Sequence, residues 1–101
     1  MGDLDAWRTC DRETLAAQYN ARAAVPEHPA IFARWRARSA SARALALADG
    51  SARLGLRYGL HPRERFDLFL PRATNANRPP LHVFLHGGYW QAMGRMDFSF
   101  L

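Results

Sequence analysis

The chain reads as a mixed α/β protein in which helical segments come first and strands follow. Three observations predict this. Apolar residues recur at helical spacing up to Gly50. From Arg53 onward they alternate with small or charged residues, as on a half-exposed strand. A β-branched and aromatic run, Leu81-His82-Val83-Phe84-Leu85, then stops abruptly at His86-Gly87-Gly88.

The first helical pattern covers about Thr14 to Arg22, with Leu15, Ala16 and Tyr19 on one side. Val25-Pro26-Glu27-His28-Pro29 breaks it, because proline cannot continue a helix. A second helix is predicted from about Ala30 to Asp49, with Ile31, Phe32, Trp35, Ala42 and Leu45 on one stripe and the arginines mostly off it. Asp49-Gly50 supplies the glycine stop. The first strand carries Leu54, Leu56 and Tyr58, and Gly59 and Pro62 mark the turn after it. The second strand spans Arg65 to Leu70 and is closed by Pro71. Arg72 to Pro80 reads as a solvated connection. Leu81 to Leu85 is the third strand, apolar enough for a buried parallel position, whereas the first two read as a peripheral antiparallel pair. The chain thus divides into a helical segment, 1–50, and a segment of strands, loop and incipient helix, 51–101.

Composition bounds the function. With 101 residues, a single modest core is the expectation. Cys10 stands alone, which rules out an internal disulfide and suits a reducing, cytoplasmic setting. Met1-Gly2-Asp3-Leu4-Asp5 is acidic where a secretory leader is basic, and no run approaches a membrane span. A myristoylation reading of Met1-Gly2 fails on the residues that follow it. The net charge of +5 comes entirely from arginine, spread from Arg8 to Arg95 without a nucleic-acid-binding motif. An Ala/Arg bias of this kind reflects coding composition. Arg34, Arg36, Arg38 and Arg43 are expected to form a solvated helix face, and no nucleic-acid partner is expected. His28, His61 and His82 have no metal-ligand spacing and read as structural or surface residues.

The chemistry lies in His86-Gly87-Gly88-Tyr89-Trp90. Acyl transfer develops negative charge on the carbonyl oxygen, and a site must hold fixed N–H donors where that charge appears. Glycines after a strand allow successive N–H groups to converge on one point. His86 is placed to pin such a loop by hydrogen bonds, and Tyr89 and Trp90 to anchor it by apolar contact. The same His-Gly-Gly is also compatible with an ordinary tight turn.

This pentapeptide is similar to the HGGxW motif of the kynurenine formamidase (arylformamidase) branch of the α/β-hydrolases. It is a variant of the HGGG loop of lipases and esterases, which lies between the third strand and the first helix. Gln18-Tyr19-Asn20, Tyr58-Gly59 and Phe66-Asp67-Leu68-Phe69 before Pro71 resemble that family's N-terminal portion. Met96-Asp97-Phe98-Ser99-Phe100 resembles the opening of its first core helix. The resemblance implies that the backbone N–H groups of Gly88 and Tyr89 form the oxyanion hole, supported by His86, Gly87 and Trp90. It further implies serine-dependent hydrolysis of N-formylkynurenine to kynurenine and formate, which needs neither cofactor nor metal, with a small-molecule amide or ester as the substrate. The alternatives are a carboxylesterase of the same fold and a non-catalytic, truncated product.

Ser39, Ser41, Ser51 and Ser99 lie in no G-x-S-x-G elbow, and the resemblance implies that nucleophile, acid and histidine all follow the loop. No triad residue is assigned. The apolar run ending at Phe100-Leu101 carries no stop signal, so the sequence reads as an N-terminal fragment, inactive alone. In the related fold, the third strand pairs with later strands. Without them Leu81 to Leu85 has two open edges, which invites disorder or association. Residues 1–101 alone are therefore expected to be poorly folded or self-associating. A sharp, cooperative thermal transition of a monomer, with sedimentation confirming its mass, contradicts that expectation.

Overall fold

A computed structural model describes residues 5–71, 77–88 and 91–101. The chain forms two compact units, Met1–Ile31 and Phe32–Leu101. In the first, a 3-10 turn over Ala6–Thr9 leads into α1 (Arg12–Gln18) and α2 (Ala21–Ala24). Helix α3 (His28–Ala48) starts in the first unit and continues through most of its length in the second. The second unit then contains β1 (Ala52–Arg57), β2 (Arg65–Phe69) and a 3-10 turn over Arg95–Asp97.

The single helix expected from Thr14 to Arg22 is in fact two. Asp11 caps α1 by accepting the Thr14 N–H at 2.7 Å, and Asn20 caps α2 by accepting the Ala23 N–H at 3.1 Å. Asn side chains compete for backbone donors and so favour caps over helix interiors. Tyr19, placed on the apolar side by spacing alone, lies between the two helices and is 81% exposed.

Helix α3 matches its expected span within two residues at each end. It ends as the sequence predicts: Gly50 has φ +75°, its N–H donates to the Leu47 carbonyl, and the Ser51 N–H donates to the Ala46 carbonyl. This is the paired closure of a Schellman motif. The buried stripe, however, runs through Ser39 and Ala46, flanked by the half-buried Phe32, Trp35, Ala42 and Arg43. Leu45 is exposed, which corrects its assignment to the stripe. The small residues Ser39 and Ala46 are the ones that allow other chain segments to approach the helix closely.

β1 and β2 pair antiparallel, as expected, in a two-stranded sheet. The register is Ala52↔Phe69 and Arg53↔Leu68, then Leu56↔Phe66 and Arg57↔Arg65, so β1 carries one extra residue between Arg53 and Leu56. Gly55 in the bulge has φ +67°, a left-handed conformation that glycine adopts without steric cost. The bulge explains why simple alternation fails here, and Tyr58 falls outside the strand and is exposed.

The third strand expected at Leu81–Leu85 is not formed. These residues carry no regular secondary structure, and no described residue pairs with them. Leu81, Val83 and Leu85 are 81%, 71% and 86% exposed, so the expected burial is absent as well. β propensity creates a strand only where a neighbour takes up its backbone donors and acceptors. No helix among the described residues is long and apolar enough to cross a membrane.

The cap of α1 generates a pH dependence. The Asp11 carboxyl is held below its ordinary value of 3.8, mainly by the Thr14 N–H and then by the Thr14 hydroxyl, both of which favour the charged form. Because the folded value is lowered, the cap's contribution is complete above the ordinary value and is lost as pH falls through the folded one. Acid titration followed through the Thr14 amide resonance is expected to show this loss. Asp11→Asn, which also caps well, is expected to keep α1 and abolish the titration. Persistence of the titration in that variant removes Asp11 as its source.

Candidate functional site

The described part of the glycine loop is Leu85-His86-Gly87-Gly88; Tyr89 and Trp90 lie outside the described residues. Gly88 has φ +132°. A Cβ built there overlaps the Ala92 carbonyl oxygen and lies 3.5 Å from the Met93 side chain. Both the conformation and the space therefore require glycine at this position. The Gly88 carbonyl accepts the N–H groups of Gln91 and Ala92, each at 3.0 Å, which closes the loop into a turn. No described residue accepts the Gly88 N–H. Gly87 is exposed with open space around its Cα.

His86 contacts the loop's own backbone and one aromatic ring. Its Nδ1 lies 2.8 Å from the Gly87 carbonyl oxygen. Its ring stacks on Phe98 at 5.8 Å between centroids, with only 12° between planes. Phe84 meets the same Phe98 ring at 5.6 Å. The two residues that lead into the glycines are thus held by one aromatic side chain farther along the chain.

Phe98 is held in turn by α3. Trp35 lies 5.4 Å from Phe32, 5.7 Å from Phe98 and 5.9 Å from Phe100. The fully buried Ser39 hydroxyl accepts the Phe100 N–H at 3.3 Å. Arg43 donates to the Met96 carbonyl and, at 3.0 Å, to the Ser99 hydroxyl. Arg36 pairs with Asp97 at 3.3 Å, and the Arg38 guanidinium lies 4.8 Å over the Phe100 ring. The expectation that these arginines form only a solvated face is therefore corrected for Arg36, Arg38 and Arg43.

The residues after the loop do not open an α-helix. Arg95–Asp97 forms one 3-10 turn. Asp97 accepts the Gly94 N–H through Oδ2 at 2.9 Å and returns its own N–H to the Gly94 carbonyl at 3.0 Å. Met93 immediately before it has φ +68°, a conformation bulky side chains rarely adopt. Backbone strain thus sits at the exit of the glycine loop.

Three of the four serines have structural roles. Ser39 is buried against Phe100, Ser51 hydrogen-bonds within the α3 terminus, and Ser99 accepts from Arg43. No group of three His, Cys, Asp or Glu among the described residues is placed to hold a metal ion. Sequence reading missed Phe98 as the organiser of the loop. Its only signal was the aromatic doublet Phe98-Ser99-Phe100, one residue apart.

No family model matches the chain, and no solved structure matches it. Among characterised proteins, it is similar to two kynurenine formamidases. That of Salmo salar is 35% identical over 48 residues, covering 48% of this chain and 16% of that protein. That of Danio rerio is 26% identical over 111 residues, covering 97% of this chain and 34% of that protein. The chain is thus a distant homologue of kynurenine formamidases and spans about a third of the length of the one it matches most fully.

The stacking of His86 on Phe98 generates a test. Phe98→Leu keeps an apolar side chain but removes the aromatic pairing, worth about 0.5–1.5 kcal/mol beyond area burial. The His86 ring-proton resonances are expected to lose their ring-current shift, and the amides of Gln91 and Ala92, which donate to the Gly88 carbonyl, to exchange faster. Unchanged His86 resonances mean that the stack does not exist in solution.

Proposed function

We propose that this chain supplies the oxyanion-binding part of a serine hydrolase that acts as a kynurenine formamidase, converting N-formylkynurenine to kynurenine and formate. The observation that carries the reading is Gly88. Its positive φ and lack of room for a Cβ give the glycine a physical necessity, and its N–H has no acceptor among the described residues. The distant similarity to kynurenine formamidases supports the choice of substrate.

In this reading a serine outside these residues attacks the formyl carbonyl, and a histidine takes its proton. The carbonyl oxygen gains the charge, which the N–H groups of Gly88 and Tyr89 stabilise. Collapse of the adduct breaks the C–N bond, the arylamine leaves with a proton from the histidine, and water releases formate from the acyl-serine. His86, Gly87 and Trp90 hold the loop through these steps. No cofactor or metal takes part.

The whole protein is expected to hydrolyse an aryl formamide in preference to a short-chain aryl ester; the reverse preference makes it a carboxylesterase of the same chemistry. The 101-residue chain alone is expected to turn over neither and to resist a serine-directed phosphonate. Labelling of the chain alone places a nucleophile within these residues and overturns the division of labour. In the whole protein, Gly88→Ala is expected to lower kcat on the order of 10²- to 10³-fold, the usual loss for one oxyanion donor, with a smaller change in KM. An unchanged kcat in the folded variant rules out the oxyanion assignment.

A further inference from the structure

We propose that Asp67 is a positioning residue for the glycine loop, acting through Arg95. The inference rests on the oxyanion reading of Gly88 and extends it to a residue on the sheet.

Asp67 lies in the middle of β2 with its side chain 6% exposed. A carboxylate this buried is costly unless it is paired and hydrogen-bonded. Its Oδ1 accepts two donors, the Gly55 N–H at 2.8 Å and the Arg95 Nε at 2.8 Å. Its Oδ2 is buried with no hydrogen-bond partner among the described residues. The pairing is thus concentrated on one oxygen, which joins the β1 bulge to the first residue of the 3-10 turn after the loop.

The bulge is what brings these groups together. Gly55, in its left-handed conformation, turns its N–H toward Asp67, while its carbonyl accepts from Arg65 Nη1 at 2.9 Å. A Cβ at Gly55 would touch the guanidinium groups of Arg95 and Arg65 at 3.6 and 3.7 Å, so both cations pack over the bulge. The sheet therefore presents one buried anion, and Arg95 binds to it.

Arg95 is where the loop's exit is fixed. Gly94 before it is capped by Asp97, and Phe98 after it carries the rings of His86 and Phe84. The entrance to the loop rests on Phe98 and its exit on Arg95, three residues apart in the same short segment. Displacing Arg95 shifts both ends of the loop at once. Misplacement of a catalytic donor by about 1 Å is enough to cost on the order of 100-fold in rate.

The test is a double-mutant cycle on kcat in the whole protein, with Asp67→Asn and Gly88→Ala. Asparagine is nearly isosteric and still offers an oxygen to the Gly55 N–H, but it removes the charge that holds Arg95. Asp67→Asn is expected to lower kcat on the order of 10-fold or more with KM within about twofold. Its effect is expected to shrink when Gly88 is already alanine, because both act on the same donor. Unchanged kcat, or losses that simply multiply, overturns the proposal.

Hydrogen exchange in the same variants separates this from failure of the hydrolase reading. If the wild type turns over neither formamide nor ester, the functional reading fails. The positioning of the loop is then decided by exchange alone. Faster exchange in Asp67→Asn confined to the hydrogen-bonded amides of Gln91, Ala92 and Gly94 supports the positioning. Unchanged exchange there, or equal loosening of β1 and β2, overturns it.

Discussion

Trp35 is the contact on which the arrangement of the second unit depends. It stands on α3 at the meeting point of Phe32, Phe98 and Phe100, and the segment bearing the last two is the one that supports the glycine loop. Aromatic pairs of this kind contribute beyond their buried area because ring edges and faces carry opposite partial charge. The polar contacts beside it, from Ser39, Arg36 and Arg43, fix the register of the segment along the helix. A two-stranded sheet is marginal by itself. The aromatic cluster gives the loop an attachment that does not rely on the sheet alone.

The helices were legible from the sequence where punctuation was strong. Pro26 and Gly50 bracket α3 while Pro29 sits in its first turn, where its missing N–H costs nothing, and Gly59 and Pro62 correctly separate β1 from β2. The split at Tyr19-Asn20 was not legible from periodicity, because it comes from a side-chain cap and not from a break in apolar spacing. Leu45 was misplaced for a related reason. Hydrophobicity ranks it above Ser39 and Ala46, yet close approach to α3 selects the smaller side chains. The bulge at Gly55 was hidden because a single extra residue leaves strand composition unchanged.

The site divides along similar lines. The need for glycine at position 88 was readable from the motif, and its geometry supplies the physical reason. The dependence of His86 on Phe98 was not readable, since it couples residues through a fold that spacing does not encode. Leu81–Leu85 shows the limit from the other direction. Its composition is that of a strand, but strand formation is a property of two partners, and composition describes one.

The arginines also have a meaning that composition alone obscured. A coding bias can explain why lysine is absent, but it does not make the side chains interchangeable. Arg36, Arg43 and Arg95 each bind through guanidinium nitrogens, and two of them engage carboxylates. A guanidinium presents its donors in a fixed planar fork, whereas a lysine ammonium is a point charge on a flexible stem. The fastening of the loop-bearing segment is thus directional, so an exchange of these arginines for lysine keeps the charge but gives up the aim of the donors.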